Sequence, residues 1–170
     1  PSDDVEAKQV VNAAYHHEGP VYMRFARLAS AVFHDENYKF EIGKAEVVTE
    51  GSDVTIVACG LMVSEAMAAA EALKEKGISA EVINMATIKP LDEECLLASA
   101  KKTGKVITVE EHSIIGGLGE AVCALLSEKC PTPVKRIGVN DEFGHSGPGA
   151  ELLKQFGLSA EHIAEVAEDF

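Results

Sequence analysis

The chain has 170 residues, 46% of them apolar and 25% charged, the balance of an ordinary globule with room for one packed domain or a domain plus a fragment. Its net charge of −13, with no run of Lys or Arg, argues against a nucleic-acid partner, because phosphate backbones need a basic face. No apolar stretch is long enough to span a bilayer and no secretory signal is visible, so the reading is a cytoplasmic protein without a membrane role.

In chain order, Asp3 and Glu6 have capping-box spacing, and Ala7, Val10, Val11 and Ala14 form the apolar stripe of a first helix. His16-His17 closes it, where a cation suits the helix dipole; the pair lacks metal-ligand spacing. Gly19-Pro20 breaks the pattern, and Val21–Phe25 reads as a strand. One helix and one strand cannot bury their own faces, so residues 1–27 read as an incomplete N-terminal α/β piece, the tail of another domain. The start at Pro1 rather than Met agrees with that expectation. Residues 28–44 show no period, carry Phe33, Tyr38 and Phe40, and read as a linker lying against a domain surface.

Residues 45–170 read as one further domain. Val54–Ala58 is a continuous apolar run, as a strand buried on both faces should be. A helix over 61–76 is closed by Gly77, followed by a strand near 79–85 and a helix near 92–102 closed by Gly104. Then come a strand near 105–110, a helix near 117–129 and a strand near 134–139. A short helix near 149–156 stops at Gly157, and a last one after Ser159 places Ile163, Val166, Ala167 and Phe170 on one face. This alternation predicts an α/β fold in three layers, a mostly parallel sheet with helices on both faces. Cys59, Cys95, Cys123 and Cys130 have no C-x-x-C spacing and sit in apolar segments, which predicts buried free thiols in a reducing compartment.

Three stretches carry candidate chemistry. In VEEHSIIGGLGEAV (109–122), a strand meets two carboxylates, a histidine and a glycine cluster before a helix. The dinucleotide fingerprint fails there: Gly117 and Gly119 fit its first two positions, Val122 occupies the third, and Glu110 and Glu111 would repel a diphosphate. Gly116, Gly117 and Gly119 therefore read as a tight strand-to-helix turn. Glu110 and Glu111 point to opposite faces of a strand, and His112 reads as a helix-terminus or interface residue. Arg24 and Arg27 end the Val21–Phe25 stretch in a cation-poor chain, where Arg27 could clamp a phosphate bidentately or serve as a surface arginine. His145 and Ser146 are too close in sequence for a nucleophile–base pair and read as a glycine-rich loop.

GPVYMRFAR (19–27), SDVTIVACG (52–60), INMATIKPLD (83–92), VITVEEHSIIGGLGEAV (106–122) and IGVNDEFGHSG (137–147) together resemble the carboxyl-terminal part of transketolase, above all the C-terminal subunit found where that enzyme is split into two chains. The likeness covers nearly the whole chain. His145 departs from the acidic residue of that loop in the family, and deoxyxylulose-phosphate synthase and the beta chain of 2-oxo acid dehydrogenases share the same last domain. The resemblance implies that 1–27 is the tail of a pyrimidine-binding domain, 28–44 a linker and 45–170 the transketolase C-terminal domain. It implies thiamine diphosphate and Mg2+ in the complete enzyme, both held upstream, so that this chain carries no catalytic, cofactor or metal residue and is inactive alone. It implies that Arg27 binds the phosphate of a sugar-phosphate substrate, in an enzyme that moves a two-carbon ketol unit between sugar phosphates, as in the pentose phosphate pathway. The implied partners are the missing upstream domains or N-terminal subunit, and further copies of the chain. The competing expectation is an autonomous binding or regulatory module of the same fold.

Overall fold

In the computed structural model, which describes residues 1–170, the first element is α1 (Asp4–His16). β1 (Glu46–Thr49), β2 (Val54–Ala58), α2 (Met62–Glu75), β3 (Ala80–Asn84), α3 (Glu93–Thr103) and β4 (Val106–Ser113) follow. The chain ends with α4 (Leu118–Lys129), β5 (Val134–Val139), α5 (Gly149–Gln155) and α6 (Ala160–Glu168). The five strands form one sheet in the order β1-β3-β2-β4-β5. β3, β2, β4 and β5 are parallel, and β1 lies antiparallel on β3.

Every residue of β2 and β3 is buried, and alternate side chains serve opposite faces. Val54, Ile56 and Ala58 join Met62, Leu73, Ile163 and Ala167 in a core under α2 and α6. Val57 and Ile83 join Leu96, Ala100, Leu118 and Leu126 under α3 and α4. The expected three-layer, mostly parallel architecture is what the chain adopts. Asp92 starts α3 by accepting the Cys95 amide at 3.1 Å, and Gly104 ends it in the left-handed region at φ 73°.

The differences fall at edges. Val21–Phe25 is not a strand: residues 18–34 make no backbone–backbone hydrogen bond, and Tyr22 is 89% exposed. Alternating apolar residues favour an extended chain, but a strand also needs a neighbour to exchange hydrogen bonds with, and none lies beside 21–25. β1 had no strong sequence signal because it is four residues long, half-exposed and interrupted by a register shift between Val47 and Thr49. β4 runs past residue 110 to Ser113, which pairs with Val139 beyond a second register shift. The four cysteines are unpaired and half-buried rather than fully buried.

Candidate functional site

Open α/β sheets bind ligands beyond the carboxyl ends of their strands, where the strand order reverses. Here that point lies between β2 and β4, because the chain leaves β2 toward β3 on one side and returns to β4 on the other. A cleft of about 820 Å³ opens there, floored by Cys59, Gly60 and Glu111 and walled by Val10 and Ala14 of α1. The Pro20–Ala26 stretch runs along it. Arg24 lines the cleft and donates to the Glu111 carbonyl at 3.0 Å. Burial, reinforced by the charge of Glu110, pushes the Cys59 thiol up to about 12, so it is a poor nucleophile.

The glycine turn has an occupant of its own. Glu110 is 2% exposed and turns its carboxylate onto the start of α4, accepting the Leu118 and Gly119 amides at 2.8 Å each. These are the free N–H groups that would hold a phosphate in a nucleotide loop. A Cβ on Gly117 would lie 2.0 Å from Glu110 Oε2, and one on Gly119 would meet Thr108 and Arg136 at 2.9 Å. The glycines thus admit an internal carboxylate and close helix packing, and a diphosphate does not fit this turn. His112 is exposed, with Nδ1 2.8 Å from the Ser113 carbonyl oxygen and 3.9 Å from Glu110. No group of three or more His, Cys, Asp or Glu side chains is placed to hold a metal ion.

Arg27 is exposed, makes no hydrogen bond or ion pair, and lies outside the cleft lining. Its neighbour Leu28 packs over Gly149, where a Cβ would come within 2.5 Å of Leu28 Cδ2. In the following loop, His145 Nδ1 lies 2.7 Å from Gln155 Nε2 and the ring is 5.4 Å from Phe156. Ser146 is exposed in the same loop, and no acid orients the histidine toward it. The structure therefore separates the sequence candidates: Arg24 and Glu110–His112 sit at the cleft, Arg27 beside α5, and His145 on the loop before it.

A polar cluster escaped the sequence reading. Asp3 caps α1 by accepting the Glu6 amide at 2.9 Å, and its second oxygen accepts the amides of Phe33 and His34 at 3.1 and 3.0 Å. His34 Nδ1 lies 3.0 Å from that same oxygen, an ion-pair contact without hydrogen-bond geometry, and Nε2 lies 2.8 Å from Glu46 Oε2 on β1. The imidazole stacks on Tyr38 at 3.8 Å, and Tyr38 donates to Glu6. Glu6 is fully buried and also accepts the Ser2 amide at 2.6 Å and Asn84 Nδ2 at 2.8 Å. Burial alone would lower the His34 pKa, but its contacts with Glu46 and Asp3 raise it above the usual 6.5. Burial works the other way on Asp3, yet its hydrogen bonds from Glu6, His34 and Phe33 hold it down at about 2. The only sequence signal was the Asp3–Glu6 spacing; the partners lie about thirty residues away in a stretch without period.

The profile of the family described as transketolase, C-terminal domain, matches residues 43–163. The 6-deoxy-6-sulfo-D-fructose transketolase subunit SqwH of Clostridium sp. (strain MSTE9) is 46% identical over 99% of this chain and 52% of its own length. 1-Deoxy-D-xylulose-5-phosphate synthase 1 of Geobacter sulfurreducens is 40% identical over the whole chain and 27% of its own length. A solved structure described as a split-gene transketolase, inactive beta4 tetramer, superposes with a TM-score of 0.95 at 46% identity, over 99% of this chain and 55% of that one. The chain thus spans about half the length of the SqwH subunit and of the beta4 chain, and about a quarter of the length of the deoxyxylulose-phosphate synthase.

Proposed function

The chain belongs to the transketolase C-terminal domain family, and on that premise we propose that it serves as the C-terminal part of a two-chain, thiamine diphosphate-dependent transketolase. The complete enzyme would transfer a two-carbon ketol unit between sugar phosphates. One observation carries this reading: the match to transketolase chains extends through residues 1–42, ahead of the C-terminal domain itself, at half the relatives' length. A partner of that kind supplies the cofactor and Mg2+, a division of labour supported by the glycine turn before α4 being filled by Glu110. No chemical step is assigned to this chain. Its part is to bind and orient.

In this reading Arg27 grips the phosphate of the substrate. Its guanidinium has no internal partner to give up, and a bidentate arginine fixes both position and angle. The exposed apolar side chains Val11, Tyr15, Tyr22, Phe25, Ile115 and Phe143 form contact surface for the cofactor-bearing partner. Without that partner they bring copies of the chain together in a catalytically silent homo-oligomer, the state described for the neighbouring beta4 tetramer. The assembly works in the cytoplasm; no helix of the chain is long and apolar enough to cross a membrane.

The test is reconstitution. The chain is mixed with a candidate N-terminal subunit, thiamine diphosphate and Mg2+, and ketol transfer from a ketose phosphate to an aldose phosphate is followed. The chain alone should be inert, the mixture active. Saturable heat of thiamine diphosphate binding to the chain alone overturns the division of labour. In the mixture, Arg27→Ala should weaken phosphorylated substrates by roughly 1.5–3 kcal/mol relative to unphosphorylated ones; equal losses return Arg27 to a structural arginine. The likeness to a deoxyxylulose-phosphate synthase supports a second reading, in which pyruvate is the donor. Release of CO2 from pyruvate by the mixture, in place of ketol transfer, selects it.

A further inference from the structure

The stretch between α1 and Phe33 carries Arg24 and Arg27, yet residues 18–34 make no backbone–backbone hydrogen bond. Its course is set by a few side-chain contacts, among them Arg24 on Glu111 and Leu28 on Gly149, and by its two ends. Its far end is fastened to one carboxylate: Asp3, at the N-cap of α1, accepts the Phe33 and His34 amides that lead out of the stretch. Its near end leaves the opposite end of α1 at His17, about 20 Å away along the helix. His34 then ties this junction to the sheet through Glu46.

We propose that Asp3, His34 and Glu46 form a proton-sensitive clasp that positions the Arg27-bearing stretch against the C-terminal domain, with an imidazolium at its centre. The argument is one of charge and valence. Both ring nitrogens of His34 face carboxylate oxygens, and a neutral imidazole has one N–H to offer. Loss of the proton leaves a nitrogen lone pair against a carboxylate. The charged groups in contact with the ring are Asp3, at the cap of α1, and Glu46, on β1; Tyr38 stacks on it and donates to Glu6. No Lys or Arg takes part in these contacts, so the imidazolium is the cluster's own cation. Asp3 and the ring are almost wholly shielded from water, at 0% and 4% side-chain exposure, so counter-ions cannot take its place. Asp3 and His34 are positioning residues: they touch no substrate and act through the placement of Arg27. The use of this device in ketol transfer rests on the reading above; the device itself does not.

Two NMR readouts of the 170-residue chain test it: the ring resonances of His34, and the methyl resonances of Leu28, which report its packing on Gly149. The Leu28 shifts are expected to change with the same midpoint as the His34 ring, above pH 6.5. Glu46→Gln, at a residue 41% exposed and safe for folding, should move both midpoints down toward 6.5. His34→Gln should abolish the Leu28 transition. Leu28 shifts that stay flat while His34 titrates, or a midpoint unmoved in Glu46→Gln, overturn the clasp. In the reconstituted enzyme, KM for a phosphorylated substrate should rise through the same midpoint in inverse proportion to the closed fraction, with kcat steady. A flat KM beside an intact Leu28 transition refutes the role of Arg27 in the function reading and leaves the clasp standing.

Discussion

The two parts of the molecule are held by different forces. From Val54 onward, the sheet is gripped by apolar side chains on both faces; before Val54, Val10 is the single buried apolar residue. What buries there instead is Ser2, Asp3 and Glu6: Glu6 accepts from Ser2, Tyr38 and Asn84, and Asp3 accepts the Glu6, Phe33 and His34 amides. Apolar packing is non-directional and indifferent to pH, whereas a polar junction holds only while each donor and acceptor keeps its geometry and charge. The sandwich should therefore be robust and the junction tunable, and that contrast can be tested in order of expected effect.

The largest effect is expected in the sandwich. Leu73 is fully buried between α2 and the sheet, and Leu73→Ala should destabilise the chain by about 2–5 kcal/mol, read as a lower urea midpoint for the whole molecule. A loss confined to α1 would deny that the sandwich is the cooperative unit. Next, Asp3→Ala leaves the Glu6, Phe33 and His34 amides without their acceptor, at a cost of about 1–3 kcal/mol. The loss should appear as faster hydrogen exchange in the first turns of α1, with the core strands unchanged.

The pH response separates the parts further. The folded pKa of His34 is raised, so its contribution is complete below 6.5 and fades as pH rises through the folded value. The folded pKa of Asp3 is about 2, below its ordinary 3.8, so its contribution is present above about 4 and fades as pH falls toward 2. Exchange protection in α1 should thus peak in a window from about pH 4 to 6.5, while protection in β2 varies far less. Equal pH profiles for the two regions would erase the distinction drawn here. The smallest effect belongs to the surface: Lys76→Ala removes the half-exposed pair with Glu168 and should cost about 0–1 kcal/mol, vanishing at high salt.

How much of this was legible follows the same division. Val54–Ala58 and the helices after it announce themselves because burial on both faces, helical period and glycine stops are local signals. The failed nucleotide fingerprint was legible from the glycine spacing and the adjacent carboxylates. That Glu110 occupies the start of α4 was not, since a bond across eight residues depends on how the turn closes. The junction was almost silent, because the partners of Asp3 and Glu6 are chosen by tertiary placement. Val21–Phe25 misled for the complementary reason: its alternation is real, but pairing is a property of two segments. For Arg27 the sequence favoured a phosphate ligand only through the family resemblance, and the structure adds that its guanidinium is exposed and without a hydrogen bond or ion pair.

The edges of the sheet bear on how copies of the chain can meet. Exposed strand edges invite another strand to extend the sheet, a route to fibrils and irreversible aggregates. β1 answers with four residues and a register shift. β5 places Lys135 and Arg136 along its length, where Lys135 reaches the carbonyls of Val166 and Asp169. Neither margin offers a long, flat, uncharged template. What the surface does offer is exposed side chains such as Tyr15, Tyr22 and Phe143, through which any association would be by reversible side-chain contact. On the two-chain reading proposed above, an oligomer built through such surfaces would be a store from which the chain is recovered, not a dead end.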